Sequence, residues 1–179
     1  MNKKLIVGVI IAVVILCILC CVAGIALFPS AYEYLLENSS LQVGTLAPDF
    51  KLATISGETL ELSQFRGQPV LLTIGATWCP DCKKEAALLQ ELHENHPEIS
   101  IIMVDIKEGK SVVEEFVRAN GLTYHITLDP DGRVSSQYKV VAIPTLLLIN
   151  EEGVIKAKII ESVTQESLEK MLLDTGLVD

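Results

Sequence analysis

Ala76-Thr77-Trp78-Cys79-Pro80-Asp81-Cys82-Lys83-Lys84-Glu85 is the stretch that decides the fold. An apolar run over residues 70–74 leads into it, and a helical pattern follows. Two cysteines, two residues apart, therefore sit where a strand should end and a helix begin. In a βα setting that spacing reads as a thiol–disulfide redox site. A helix start aims unpaired backbone N–H groups and the positive end of its dipole at whatever precedes it. A cysteine there has its thiolate favoured, and the thiolate is the nucleophile of disulfide exchange. Cys79 is thus the expected attacking sulfur. Cys82 follows one helical turn later and can close an internal disulfide. Pro80 suits the first helical position, where its missing N–H would have been unpaired anyway.

Outward from this centre, strands and helices follow in an interpretable order. Residues 50–54 alternate apolar and polar, Ser56-Gly57-Glu58 turns the chain, and residues 59–62 return as a second strand. Residues 63–65 form at most one helical turn. Residues 70–75 read as a central buried strand. The helix opened by Pro80 runs to about Asn95, with Cys82, Ala86, Leu89 and His93 on one stripe. Residues 99–105 form another apolar strand. Ser111 is expected to cap a second helix that Gly121 ends. A strand over 124–128, the turn Asp129-Pro130-Asp131-Gly132 and a short helix over 134–138 follow. Residues 145–149 and 154–160 read as an antiparallel hairpin, and residues 164–173 as the last helix. This order predicts a mixed sheet flanked by helices.

The chain has 179 residues, half of them apolar, with a net charge of -9. Part of the apolar excess is concentrated in residues 5–28, a run without charge that follows Lys3 and Lys4. As a helix it would span ~36 Å, enough to cross a bilayer. The basic residues before it predict a cytoplasmic N-terminus and an exported remainder. A cleaved signal peptide is the alternative, although the run exceeds a usual signal core. The expected organisation is an anchor over 1–28, a spacer over 29–43 and a redox domain over 44–179. Cys17, Cys20 and Cys21 lie in the apolar run and read as lipid-facing. Only Cys79 and Cys82 remain outside it, and a pair so close in sequence closes almost no loop, so it is a poor structural staple. The acidic balance makes nucleic acid and anionic lipid poor partners.

Four motifs together resemble the TlpA/ResA branch of the thioredoxin superfamily. They are Gly44-Thr45-Leu46-Ala47-Pro48-Asp49-Phe50, the stretch from Ala76 to Glu85, Leu128-Asp129-Pro130-Asp131-Gly132 and Ile143-Pro144-Thr145. The resemblance covers the chain from Gly44 onward. It implies an α/β thioredoxin-like fold with an added N-terminal β-hairpin, preceded by one transmembrane helix. It implies a membrane-anchored, extracytoplasmic thiol–disulfide oxidoreductase with Cys79 and Cys82 as its redox pair and no cofactor. It also implies that Pro144 is the cis-proline facing the site, with Ile143 offering backbone hydrogen bonds to an extended substrate. Without the resemblance, a trans bond is the default. Glu85 matches an active-site acid of ResA-like proteins. A carboxylate near the sulfurs could take and give protons, whereas the plainer reading is an exposed first-turn glutamate favoured by the helix dipole. Trp78 either shapes the substrate face or packs beneath the loop. The chain departs from its relatives in two places: Thr73 stands where thioredoxins carry a buried aspartate, and Gly75 where many TlpA-like chains carry an aromatic.

Rival readings come from other classes. Cys79, Cys82, His93 and His96 offer a zinc-like donor set, but one unbroken helix would hold Cys79 and His96 roughly 25 Å apart. A peroxiredoxin-like peroxidase shares the Ala-Pro-Asp-Phe opening, yet Ala76 stands where its threonine belongs. A disulfide-forming oxidase and a non-enzymatic thioredoxin-like binding module complete the set. The expectation adopted is a reductase of protein disulfides supplied by a membrane electron donor of the DsbD/CcdA type, with cytochrome c maturation as the role the resemblance suggests.

Overall fold

The computed structural model describes Val14 and residues 41–176. The expected anchor, most of the spacer and Cys17, Cys20 and Cys21 lie outside the described residues. Among the described residues no helix is long and apolar enough to cross a membrane.

Seven strands form one sheet: β1 (Lys51–Thr54), β2 (Thr59–Glu61), β3 (Val70–Gly75), β4 (Ser100–Ile106), β5 (His125–Asp129), β6 (Thr145–Ile149) and β7 (Ile155–Ile160). Among residues 41–176 four α-helices accompany them: α1 (Pro80–Asn95), α2 (Lys110–Asn120), α3 (Arg133–Gln137) and α4 (Gln165–Asp174). A 3₁₀ turn, Leu62–Phe65, follows β2. The strand order is β2-β1-β5-β4-β3-β6-β7. β3, β4 and β5 are parallel, and the pairs β1–β2, β1–β5, β3–β6 and β6–β7 are antiparallel. This is the mixed sheet and N-terminal hairpin of a thioredoxin-like α/β fold.

All six residues of β3 are buried, as are all five of β6, which is why both read as continuous apolar runs. Side chains alternate between two cores. Leu71, Ile101, Met103 and Ile126 face the layer that includes Leu89 of α1, Phe116 of α2 and Leu168 of α4. Leu72, Val104 and Leu147 face the other layer, with Phe50 and Tyr138.

The Ala-Pro-Asp-Phe segment ties the second layer together. Asp49 accepts from the Phe50 and Ser63 backbone N–H groups, and the Tyr138 hydroxyl donates to the Pro48 carbonyl at 2.6 Å. The Asp-Pro-Asp-Gly motif has a similar task. Asp129 is fully buried, and its carboxylate accepts from the Val134 and Ser135 N–H groups at the start of α3.

One expected boundary is corrected. Ser111 does not cap α2; Gly109 does, and the helix begins at Lys110. The Gly109 carbonyl already accepts from Val112 and Val113, so Ser111 falls inside the first turn. Gly121 ends α2 as expected, in the left-handed conformation with φ 63°.

Candidate active site

β3 ends at Gly75, and the chain passes through Ala76, Thr77 and Trp78 to Cys79, the N-cap of α1. Pro80 is the first helical residue. Cys79 and Cys82 are joined by a disulfide, with Cα atoms 5.2 Å apart. The Cys82 N–H donates to Cys79 Sγ at 3.2 Å. The sulfur thus occupies the place of an N-cap oxygen, where an orphan donor and the helix dipole favour negative charge.

The two sulfurs differ in surroundings. Cys79 Sγ lies 3.8 Å from the carbonyl oxygen of Ile143, and the Ile143–Pro144 peptide is cis. Cys82 instead backs onto β3, where a Cβ placed on Gly75 would lie 3.1 Å from its Sγ. Gly75 is therefore the residue that admits Cys82 against the sheet. Trp78 is 63% exposed beside Cys79, so it does not pack beneath the loop. Ile143 is half-buried and Pro144 buried.

Glu85 is buried on the inner face of α1, at 2% exposure, and is not a solvated first-turn acid. Thr73 Oγ1 donates to its Oε1 at 2.7 Å, and its Oε2 has no partner among the described residues. Burial raises its pKa from 4.5 to about 7, against the opposing pull of the Thr73 hydrogen bond. A cavity of about 10 Å³ joins Glu85 to Cys82, Gly75, Thr73 and Tyr124. That is on the order of the room one water needs. The Tyr124 hydroxyl is buried there without a partner among the described residues, and burial together with the Glu85 charge pushes its ionisation up.

A second acid group was not singled out from the pattern. Asp105 ends the apolar part of β4 and is fully buried, in register with Gly75. Glu108 follows β4 and accepts from both the backbone N–H and the hydroxyl of Thr77, the latter at 2.8 Å. An acidic residue closing an apolar run beside the Cys-x-x-Cys strand was the only available signal.

The histidines lie elsewhere. His96 caps the far end of α1, His93 packs edge-on against Tyr124, and His125 lies against Phe65. Among the described residues no group of three or more His, Cys, Asp or Glu is placed to hold a metal ion.

A Cys-x-x-Cys pair at the start of a helix, facing a cis-proline across a thioredoxin-like sheet, defines a thiol–disulfide oxidoreductase. Comparison with known proteins gives the same class. The AhpC/TSA family model matches residues 43–158. The chain is 33% identical to the thiol-disulfide oxidoreductase ResA of Bacillus subtilis over 162 residues, which span 89% of this chain and 87% of that protein. The crystal structure of StoA from Bacillus subtilis is similar at TM-score 0.61 and 34% identity, covering 72% of this chain and 98% of that one. A thioredoxin-family thiol:disulfide interchange protein from Chlorobium tepidum shares the fold at TM-score 0.67 and 18% identity, covering 76% and 99% of the two chains. The chain belongs to the AhpC/TSA family and to its ResA-like thiol–disulfide oxidoreductases.

Proposed function

We propose that this oxidoreductase works as a reductase of protein disulfides, held at the outer side of a membrane by residues 5–28. The observation that carries the chemistry is the asymmetry of the sulfurs: Cys79 meets the Ile143 carbonyl at the cis-proline, while Cys82 faces Gly75 and the Glu85 cavity. The reduced Cys79 thiolate attacks a client disulfide, forming one S–S bond and releasing one client thiolate. Cys82, deprotonated, then attacks Cys79 Sγ, closes the internal disulfide and releases the second client sulfur. Two electrons pass to the client, and two protons finish on its thiols. Near pH 7 a substantial fraction of Glu85 is ionised; in that form it takes the Cys82 proton in the second step and passes it on to water, from which the two client thiolates draw their protons. Trp78 and the Ile143–Pro144 backbone form the surface on which an extended client segment lies.

The charge-free run after Lys3 and Lys4 supports the anchor and the external location of the domain. A domain outside the cytoplasm lacks a soluble thiol supply, which favours a membrane donor of the DsbD/CcdA type. A role in cytochrome c maturation rests on the ResA-like resemblance.

The midpoint potential of the Cys79–Cys82 couple tests the direction. A value near thioredoxin's ~-270 mV supports a reductase, whereas a value near DsbA's ~-120 mV makes the protein an oxidant and reverses the electron flow.

A further inference from the structure

We propose that Asp105 and Glu108 are positioning residues that share one proton and hold the loop carrying Cys79, so that exchange at this sulfur depends on an acid group separate from Glu85. The inference rests on the reading of Cys79 as the attacking sulfur.

β3 and β4 run parallel and deliver their C-terminal ends to the same rim, with Gly75 opposite Asp105. From Gly75 the chain reaches Cys79 in four residues. Midway stands Thr77, 7% exposed, whose N–H and hydroxyl are both committed to the two oxygens of Glu108. One carboxylate thereby fixes both the backbone and the side chain of the residue two before Cys79. Charge-assisted bonds of this kind are roughly twice as strong as neutral ones.

Asp105 lies beside this clamp. It is fully buried, and among the described residues neither of its oxygens has a hydrogen bond of normal length and angle. A buried carboxylate beside a second, half-buried one does not ionise readily. Burial raises Asp105 to about 8, and the charge of Glu108 and a hydrogen-bond contact with it push the same way, against the Thr77 N–H. The proton of the pair is therefore placed on Asp105, while both oxygens of Glu108 are engaged by Thr77.

The surrounding groups leave this arrangement alone. The strand neighbours of Asp105 are Gly75 and Leu128, neither of them ionisable. Lys107 runs beneath Gly132, and Lys110 pairs with Glu114. The Asp129 carboxylate is committed to the start of α3. From α1, on the same face of the sheet, come Cys82 and Glu85, and Glu85 is held by Thr73.

Loss of the shared proton places two negative charges side by side. Their repulsion loosens the Glu108–Thr77 clamp, and the added charge disfavours the Cys79 thiolate. Both effects slow attack by Cys79.

The test is the rate of iodoacetamide alkylation of the reduced full-length protein as a function of pH. The wild-type profile is expected to need two acid ionisations besides that of the thiol. Asp105→Asn removes one and Glu85→Gln the other. The amide that Asp105→Asn introduces donates to Glu108 at every pH, so this variant reacts roughly three- to tenfold faster than wild type above the inflection and equally below it. Glu108→Gln moves the Asp105 inflection to lower pH and provides the reading if Asp105→Asn does not fold. A purely structural role would lower the rate at all pH values and leave both inflections in place. An Asp105→Asn profile that superimposes on wild type, or a Glu108→Gln profile whose inflection does not move, overturns the proposal. Peptide mapping of the labelled cysteine separates the two readings. Labelling of Cys82 first refutes the assignment of the attacking sulfur, while the acid pair stands or falls on the variant profiles.

Discussion

Thr73 Oγ1 donates a 2.7 Å hydrogen bond to Glu85 Oε1 and leaves the other carboxyl oxygen buried without a partner among the described residues. Thr73 lies on β3 and Glu85 on α1, so this bond joins the sheet to the redox helix one turn below Cys82. The carboxyl is held in place but is not supplied with enough donors to be fully ionised at neutral pH.

Stability should report that state. In the unfolded chain Glu85 ionises near 4.5, whereas in the fold it keeps its proton up to about 7. The unfolded state gives up the proton first, so stability associated with the neutral carboxyl is present below about 4.5 and is lost as pH rises towards 7. Glu85→Gln does not titrate. Relative to wild type it should gain roughly 3 kcal/mol between about pH 4 and pH 8. Urea unfolding of the oxidised protein, followed by circular dichroism, measures this difference, and the Asp105 contribution cancels because both proteins share it. A difference that does not vary with pH would mean that Glu85 is ionised in the fold.

The Thr73 hydroxyl is the group that holds the Glu85 value down. Thr73→Val keeps the shape of the side chain and removes the donor. The Glu85 carboxyl should then titrate above its wild-type value of about 7, since a hydrogen bond to a charged group contributes about 1.5–3 kcal/mol, part of which water in the cavity restores. Carbon-13 NMR of the carboxyl across pH reads this directly. A fall in the midpoint would show that the hydroxyl favours the neutral acid.

The different surroundings of the sulfurs predict different variants. Cys82→Ser leaves Cys79 able to attack but removes the thiol that resolves the intermediate, so a mixed disulfide with the client should accumulate. Cys79→Ser should form none and should abolish turnover. Non-reducing electrophoresis and intact-mass measurement distinguish the two. Accumulation in Cys79→Ser instead would assign the attack to Cys82.

Much of this arrangement was legible before the structure. Alternation placed β1, continuous apolar runs placed β3 and β6, and a helical pattern placed α1, each within a residue or so, because the burial of these elements follows the sequence directly. The Cys-x-x-Cys pair located the centre for the same local reason. Glu85 was legible only as a residue on the Cys82 side of the helix; whether it was solvated depended on Thr73 coming across from β3. The start of α2 was misplaced because Gly109, with no side-chain cap of its own, takes the position that Ser111 would have favoured chemically. Asp105 and Glu108 escaped notice because their importance lies in the parallel register of β3 with β4, and no local pattern encodes which residue of one strand stands opposite Gly75.

Gly75 itself supports a prediction about redox poise. A Cβ at this position would lie 3.1 Å from Cys82 Sγ, tight enough that the sulfur must give by a few tenths of an ångström, and 3.4 Å from Cys82 Cβ, an ordinary contact. Which state suffers more depends on what the sulfur can do. In the oxidised protein it is bonded to Cys79 and anchored by α1, so it cannot turn away. In the reduced protein the thiol is free to rotate about its side-chain bond and relieve the contact. Gly75→Ala should therefore destabilise the disulfide form more than the dithiol form and raise the midpoint potential. A difference of about 1 kcal/mol between the two states corresponds to roughly 20 mV for a two-electron couple. Equilibration with defined ratios of reduced and oxidised glutathione measures this shift. An unchanged potential, with both forms equally destabilised, would show that β3 moves back from the helix and that the sulfur keeps its place.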